Sequence, residues 1–209
     1  APAGIGAMLA AEIAPTPRPL GVILAGDTVR PSAAQAVARL KRLGIEPVLL
    51  TGDAEGPARK VAAEVGISEL RWGVLPADKL AEIERLRAAG AVVAMVGDGI
   101  NDAPALAAAD LGIAMADGTD VALASAGVAL MRGDPDLVAD VLGLARATIA
   151  KIRQNLFWAF VYNVVGIPLA ALGLLSPIVA GAAMAFSSVS VVSNSLLLRR
   201  AIARAGGGP

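Results

Sequence analysis

Met95-Val96-Gly97-Asp98-Gly99-Ile100-Asn101-Asp102-Ala103-Pro104 is the stretch whose reading decides the fold of this chain. Upstream of it, Ala91 to Val96 is a short valine-rich run, the pattern of a strand buried on both faces. Downstream, a helix is expected to begin within Asn101 to Pro104, with Asp102 as N-cap and Pro104 in the first turn. Asp98 then stands at the carboxyl end of a parallel strand, where open α/β sheets bind ligands. Asn101 and Asp102 follow within one turn. Three oxygen-bearing side chains beside glycines that admit close backbone approach suit a hard cation such as Mg²⁺. The same residue types also build ordinary strand-to-helix turns, so these residues alone leave both readings open.

Strand-like and helical stretches alternate on either side of this loop. Residues 1–19 are rich in Ala, Gly and Pro and read as a leader or linker. Leu20–Ala25 reads as a strand, Pro31–Leu43 as a helix, and Ile45–Leu50 as a strand ending in Thr51-Gly52-Asp53. A helix to Gly66, a strand near Leu70–Val74 and a helix from Pro76 to about Ala89 come next. Beyond the loop, strands are expected at Leu111–Met115 and Val128–Met131, and a closing helix at Pro135–Lys151. The alternation predicts an α/β fold with a mainly parallel sheet over residues 20–151.

The composition then changes. Leu156–Leu175 and Pro177–Leu198 carry no charge, and each is about the 20 residues that a helix needs to cross a bilayer. A long buried hairpin in a soluble protein is the alternative. Arg146, Lys151 and Arg153 precede the first stretch, and Arg199, Arg200 and Arg204 follow the second. Basic residues at both outer ends place those ends on the cytoplasmic side. Residues 152–200 therefore read as a transmembrane helical hairpin in contact with lipid, and 201–209 as a flexible tail. With 18 basic and 18 acidic residues, nothing points to nucleic acid. No cysteine and no histidine is present, which excludes disulfides and any thiolate or imidazole metal site within the chain.

Thr51 offers a hydroxyl, and Gly52 a backbone amide, to a phosphate oxygen. Lys79 brings a point charge able to neutralise a phosphoryl group. In order, Thr-Gly-Asp, Pro-Ala-Asp-Lys and Gly-Asp-Gly-Ile-Asn-Asp resemble the phosphorylation domain of P-type ATPases, a branch of the haloacid dehalogenase superfamily. The resemblance covers about residues 20–200. It implies that Thr51 and Lys79 hold an aspartyl-phosphate, and that Asp98 carries Mg²⁺ with support from Asn101 and Asp102. Asp53 would lie near the phosphates of ATP. The family's nucleophile motif, Asp-Lys-Thr-Gly-Thr, is absent from the sequence. Asp27-Thr28 is the nearest substitute, but it lacks the flanking residues, so Asp27 is not assigned that role. In the family the strand carrying the nucleophile is central, so the sheet is expected to show a gap there or to repack.

In the apolar stretches, Tyr162-Asn163 and Met184-x-x-Ser187-Ser188 resemble the copper(I)-transporting branch of the heavy-metal P-type ATPases. A thioether is a soft donor suited to Cu⁺, and neither stretch holds a charged group. The resemblance implies that Tyr162, Asn163, Met184 and Ser188 form part of the ion site. Its other part, a Cys-Pro-Cys helix, is not in this sequence. Helix–helix packing through small residues is the plainer account of Gly181, Ala182, Ala183, Ser190 and Ser193. The expected function is the C-terminal portion of an ATP-driven Cu⁺ efflux pump in a bacterial or archaeal plasma membrane. On that expectation it partners the pump's N-terminal part and does not hydrolyse ATP alone. The alternatives are a membrane-tethered phosphatase using Asp27 and a non-catalytic membrane module.

Overall fold

The structure is a computed structural model that describes residues 6–12, 18–25, 28–116 and 118–205. The chain divides into two compact units, Ala1–Ala139 and Asp140–Pro209.

In the first unit, β1 (Gly6–Glu12) and β2 (Arg18–Ala25) pair antiparallel, with an irregularity between Ala10 and Ala11. Gly6–Glu12 is thus a strand within the stretch read as a leader or linker. Gly and Ala have low strand propensity, so Gly6–Glu12 gives no strand signal until Arg18–Ala25 pairs with it. Asp27 lies outside the described residues. The alternating part follows as α1 (Ala33–Arg42), β3 (Val48–Leu50), α2 (Glu55–Val65), β4 (Glu69–Arg71), α3 (Pro76–Ala88) and β5 (Ala94–Gly97). It continues with a 3-10 turn (Ile100–Asp102), α4 (Ala103–Ala108), β6 (Leu111–Ala114), α5 (Asp120–Ser125) and β7 (Val128–Ala129). Gly66 ends α2 in the left-handed conformation at φ +78°, where any Cβ is strained.

Every strand pairing after β2 is parallel, but the strands form two separate pieces. One is β3–β4 and the other β5–β6–β7. The gap foreseen for a missing central strand is therefore present, and the sheet has not closed over it. Its consequence shows on β5. Met95 faces the core at 7 % exposure while Val96 remains 40 % exposed, so β5 is not buried on both faces as its valine run implied. Val96 and Leu50 of β3 both line a cavity instead.

The core joins Ile83 of α3, Val93 and Met95 at β5, Ala105 and Leu106 of α4, and Ala122 of α5. Small side chains allow close approach here. A Cβ on Gly112 of β6 would stand 2.5 Å from the Leu106 carbonyl oxygen, so α4 rests directly on that strand. Packing this tight leaves no room for an added methyl without backbone movement.

Helix α6 runs unbroken from Asp136 to Ala171, through Pro168, and α7 from Pro177 to Ala205. The expected boundary at residue 151 is thus not a break in the helix. The first apolar stretch stops being helical at Ala171 and not at Leu175. It ends in a turn where Gly173 takes φ +72° and its N–H donates to the Ala170 carbonyl. By length and composition, one described helix is able to cross a membrane: Pro177–Leu198, 22 residues of mean hydropathy 1.5. Residues 201–205 continue α7 where a flexible tail was expected.

Candidate phosphoryl and metal site

The site is assembled at the carboxyl ends of β3 and β5. At β3, the Thr51 N–H donates to the Arg71 carbonyl (3.0 Å), and the Val74 N–H donates to the Thr51 carbonyl (3.0 Å). These bonds fix Thr51 just as the strand ends. Its hydroxyl donates to Asp53 Oδ2 at 2.8 Å and accepts the Asp53 N–H at 3.1 Å. The Asp53 carbonyl accepts from the Gly73 N–H, and Gly52 is exposed between its neighbours. The Thr51-Gly52-Asp53 turn is thus closed on itself, with its polar groups at the surface.

At β5, Asp98 is exposed at the strand end, and its backbone carbonyl accepts the Thr119 N–H at 2.9 Å. A Cβ on Gly118 would fall 3.0 Å from that carbonyl and 2.8 Å from the Met115 carbonyl, so the loop after β6 sits hard against Asp98. Gly97 is constrained likewise: a Cβ there would meet the Asp102 Cβ at 2.8 Å and Oδ2 at 2.9 Å. Gly97 therefore clears space for Asp102 as much as for a ligand, whereas a Cβ on Gly99 would make only ordinary contacts at 3.8 Å.

Asp102 is the one buried charged residue among those described, at 7 % exposure. Lys79 Nζ donates to its Oδ1 at 2.7 Å, and the two side chains are 17 % and 10 % exposed. This pair corrects the expectation that Asp102 caps the following helix. Asp102 holds the N-cap position of α4, but its side chain makes no capping bond. A buried carboxylate is stabilised more by a partner cation than by one amide N–H, so Lys79 prevails. Asn101 is exposed in the 3-10 turn. Lys79 itself is aimed by the start of α3, where the Asp78 carboxylate accepts the Leu75 N–H at 3.0 Å.

Lys79, Asp98 and Asp102 line one cavity of about 350 Å³, together with Leu50, Met95, Val96, Gly97, Met115 and Pro135. Leu50 of β3 and Met95–Gly97 of β5 bring one strand of each sheet piece to its wall. Among the described residues no three His, Cys, Asp or Glu side chains cluster as a ready metal cage. The donor set nevertheless fits Mg²⁺, which keeps several waters and takes one or two carboxylates plus phosphate oxygens. Asp98 supplies the accessible carboxylate. Asp102, already bonded to Lys79, supplies charge behind it.

Met115 and Pro135 were not foreseen as part of the site, because nothing in their residue type marks them. Pro135 is held by its neighbours: Asp134 Oδ1 accepts the Ser32 hydroxyl at 2.7 Å and the Asp136 N–H at 3.0 Å, and Asp136 pairs with Arg39 of α1. The Ser32 hydroxyl is the main cause, and the Asp136 N–H the second, that keeps the Asp134 carboxyl below its ordinary pKa.

In the second unit, no described hydrogen bond links Tyr162 or Asn163 of α6 to Met184 or Ser188 of α7. Asn163 Nδ2 donates to the Ala159 carbonyl and the Ser188 hydroxyl to the Met184 carbonyl, each within its own helix. Met184 is 74 % exposed. The neighbouring Ala183 and Ser187 are the partly buried residues of that turn, and Met184 and Ser188 are exposed.

Two family models described as haloacid dehalogenase-like hydrolase match residues 3–110 and 79–142. The chain is 52 % identical over 180 residues to a copper-exporting P-type ATPase of Bacillus subtilis, covering 86 % of this chain and 22 % of that protein. It is 55 % identical over 181 residues to the probable copper-exporting P-type ATPase V of Mycobacterium tuberculosis, covering 87 % and 24 %. Among solved structures, a zinc-transporting PIB-type ATPase in its E2.Pi state superimposes with TM-score 0.79 at 40 % identity, over 93 % of this chain and 32 % of that one. The catalytic domain of a CPx-ATPase matches with TM-score 0.52 at 31 % identity, over 61 % and 50 %. The chain spans about a quarter of the length of the curated relatives it matches. It belongs to the haloacid dehalogenase-like hydrolases, and within them to the heavy-metal P-type ATPases.

Proposed function

We propose that this chain is the part of a copper(I)-exporting P-type ATPase that handles Mg²⁺ and phosphate and that contributes side chains to the ion path. The observation that carries this reading is the convergence of Lys79, Asp98 and Asp102 on one cavity between two separate pieces of parallel sheet. In the pump, an aspartate from the N-terminal part of the protein is phosphorylated by ATP at this cavity. Lys79 places positive charge beside the transferred phosphoryl group, and Asp102 holds the lysine there. Asp98 holds Mg²⁺, which when bound offsets charge on the phosphoryl oxygens. Thr51 turns its hydroxyl from Asp53, to which it donates at 2.8 Å, toward a phosphoryl oxygen, and Asp53 serves the nucleotide side.

The cargo is Cu⁺. The support is the copper-exporting relatives at 52–55 % identity, together with the thioether of Met184 beside neutral oxygen donors on Tyr162, Asn163 and Ser188. Because Met184 is largely exposed here, its sulfur is free to meet ligands from other helices of the pump. The phosphate-handling part lies in the cytoplasm, and the apolar helices sit in lipid as part of a multi-pass membrane protein. The test is a metal panel on the complete pump. Cu⁺ should stimulate ATP turnover and Zn²⁺ should not, and Met184→Leu should weaken Cu⁺ binding at least about tenfold. Packing should lose less than about 1.5 kcal/mol. Stimulation by Zn²⁺ in place of Cu⁺ would overturn the assignment of cargo.

A further inference from the structure

At one end of the α6–α7 pair, five polar side chains form a connected network. Lys151 Nζ donates to Asn194 Oδ1 at 2.7 Å and to Gln154 Oε1 at 3.2 Å. Asn194 Nδ2 donates to Asn155 Oδ1 at 2.8 Å and to Gln154 Oε1 at 3.3 Å. Asn155 Nδ2 donates in turn to Ser195 Oγ at 3.0 Å, and that hydroxyl donates to the Val191 carbonyl at 2.8 Å. Asn194 therefore spends both ends of its amide on α6. Everything bonded is neutral except the ammonium, and each bond crosses the seam or orients a group that does.

Beyond this network, the partly buried positions of the two helices are mostly small. They include Ala159 and Gly166 on α6, and Ala183, Ser187 and Ser190 on α7. A seam of small residues packs closely but discriminates poorly between registers, because each turn presents nearly the same shape. Fixing a register is the best-attested use of a polar group buried between helices. The network does so at a definite offset. Eight residues from Asn155 toward the turn is Asn163, and eight back from Asn194 is Phe186, midway between Met184 and Ser188. At 1.5 Å per residue both lie about 12 Å from the network. A slip by one turn would displace the two sets by about 5.4 Å, beyond what side-chain rotation restores.

We infer that Lys151, Asn155, Asn194 and Ser195 are positioning residues that pin the register of the helix pair. They thereby hold Tyr162-Asn163 and Met184-Ser188 at one depth. The pin itself stands on the hydrogen bonds; what it positions rests on the transport reading proposed above. The chain has no cysteine, so introduced pairs report unambiguously. In vesicles of phosphatidylcholine and phosphatidylglycerol, Ala159→Cys with Ser190→Cys (level across the seam) should cross-link in preference to Ala159→Cys with Ser187→Cys, nearly one turn away. Asn194→Leu should abolish that preference, bringing the two rates within about twofold, whereas Asn194→Asp keeps the acceptor for Lys151 and should restore it. Asn155→Leu serves if Asn194→Leu fails to insert. In the complete pump, Asn194→Leu should raise the half-saturating Cu⁺ concentration by about tenfold with little change in maximal turnover, and Asn194→Asp should not. An unchanged cross-linking preference in Asn194→Leu overturns the pin. Loss of the preference in a pump that no copper stimulates supports the pin and overturns the transport reading instead.

Discussion

Breaking the Lys79–Asp102 pair should have unequal consequences depending on which partner is removed. At 2.7 Å, with an effective dielectric constant near 20, the two charges attract by about 6 kcal/mol, most of it offset by the desolvation of both. Lys79→Met leaves a carboxylate on a residue that is 7 % exposed, without the cation that bonds it at 2.7 Å. For a fully buried pair the loss is about 3–5 kcal/mol, and the adjoining cavity, which can admit water, lowers the expectation to about 2–3 kcal/mol. Asp102→Asn leaves an ammonium on a long stem that can turn toward the cavity, so about 1–2 kcal/mol is expected. The double variant should cost less than the two singles together, by about 1–3 kcal/mol. The assay is denaturant unfolding of the full chain in detergent, followed by tryptophan fluorescence. The chain has two tryptophans, so Trp158→Phe leaves Trp72, which stacks under Arg59 at 5.1 Å, as reporter of the phosphate-handling unit. Additive single-variant effects, or a larger loss for Asp102→Asn than for Lys79→Met, would refute the reasoning.

Three further substitutions probe other contacts of the same unit. Gly97→Ala should destabilise the chain by about 1–3 kcal/mol, because its new methyl would stand 2.8 Å from the Asp102 Cβ and must displace that side chain. Gly56→Ala, open on all sides at α2, should change stability by less than about 1 kcal/mol in the same unfolding assay. The Asp134 carboxyl, held below its ordinary pKa by Ser32 and the Asp136 N–H, stabilises the fold above about pH 4 and loses that contribution as pH falls through its folded value. Ser32→Ala should therefore move the acid unfolding midpoint upward, measured by circular dichroism; a midpoint that stays or falls contradicts the assignment.

The sequence made the alternating elements legible because Gly, Pro and Thr-Gly-Asp-type turns punctuate valine-rich runs at regular spacing. The Gly-Asp-Gly loop was legible for the same reason, and so was the gap in the sheet, once the family resemblance supplied the missing strand. Contacts across the chain were not. Lys79 and Asp102 are 23 residues apart, and no local pattern says that the lysine displaces a capping role. Val96 reads as buried from its neighbours alone, but β5 is the end strand of its sheet among the described residues and Val96 stays 40 % exposed. The phase of α7 was likewise hidden: Met184 and Ser187 lie three residues apart, and only packing against α6 decides that Ser187 is the partly buried one. Gly6–Glu12 needed its partner strand to become a strand at all.

Phosphorylation of the complete pump tests the central claim most directly, because Asp98 is the accessible carboxylate of the cavity. With labelled ATP and Cu⁺, the pump should form an acid-stable phosphoenzyme at its aspartate. Asp98→Asn should keep the fold but lower the phosphoenzyme level and raise the Mg²⁺ needed by at least about tenfold. Phosphoenzyme formed by Asp98→Asn at the unaltered level and Mg²⁺ dependence would contradict the account.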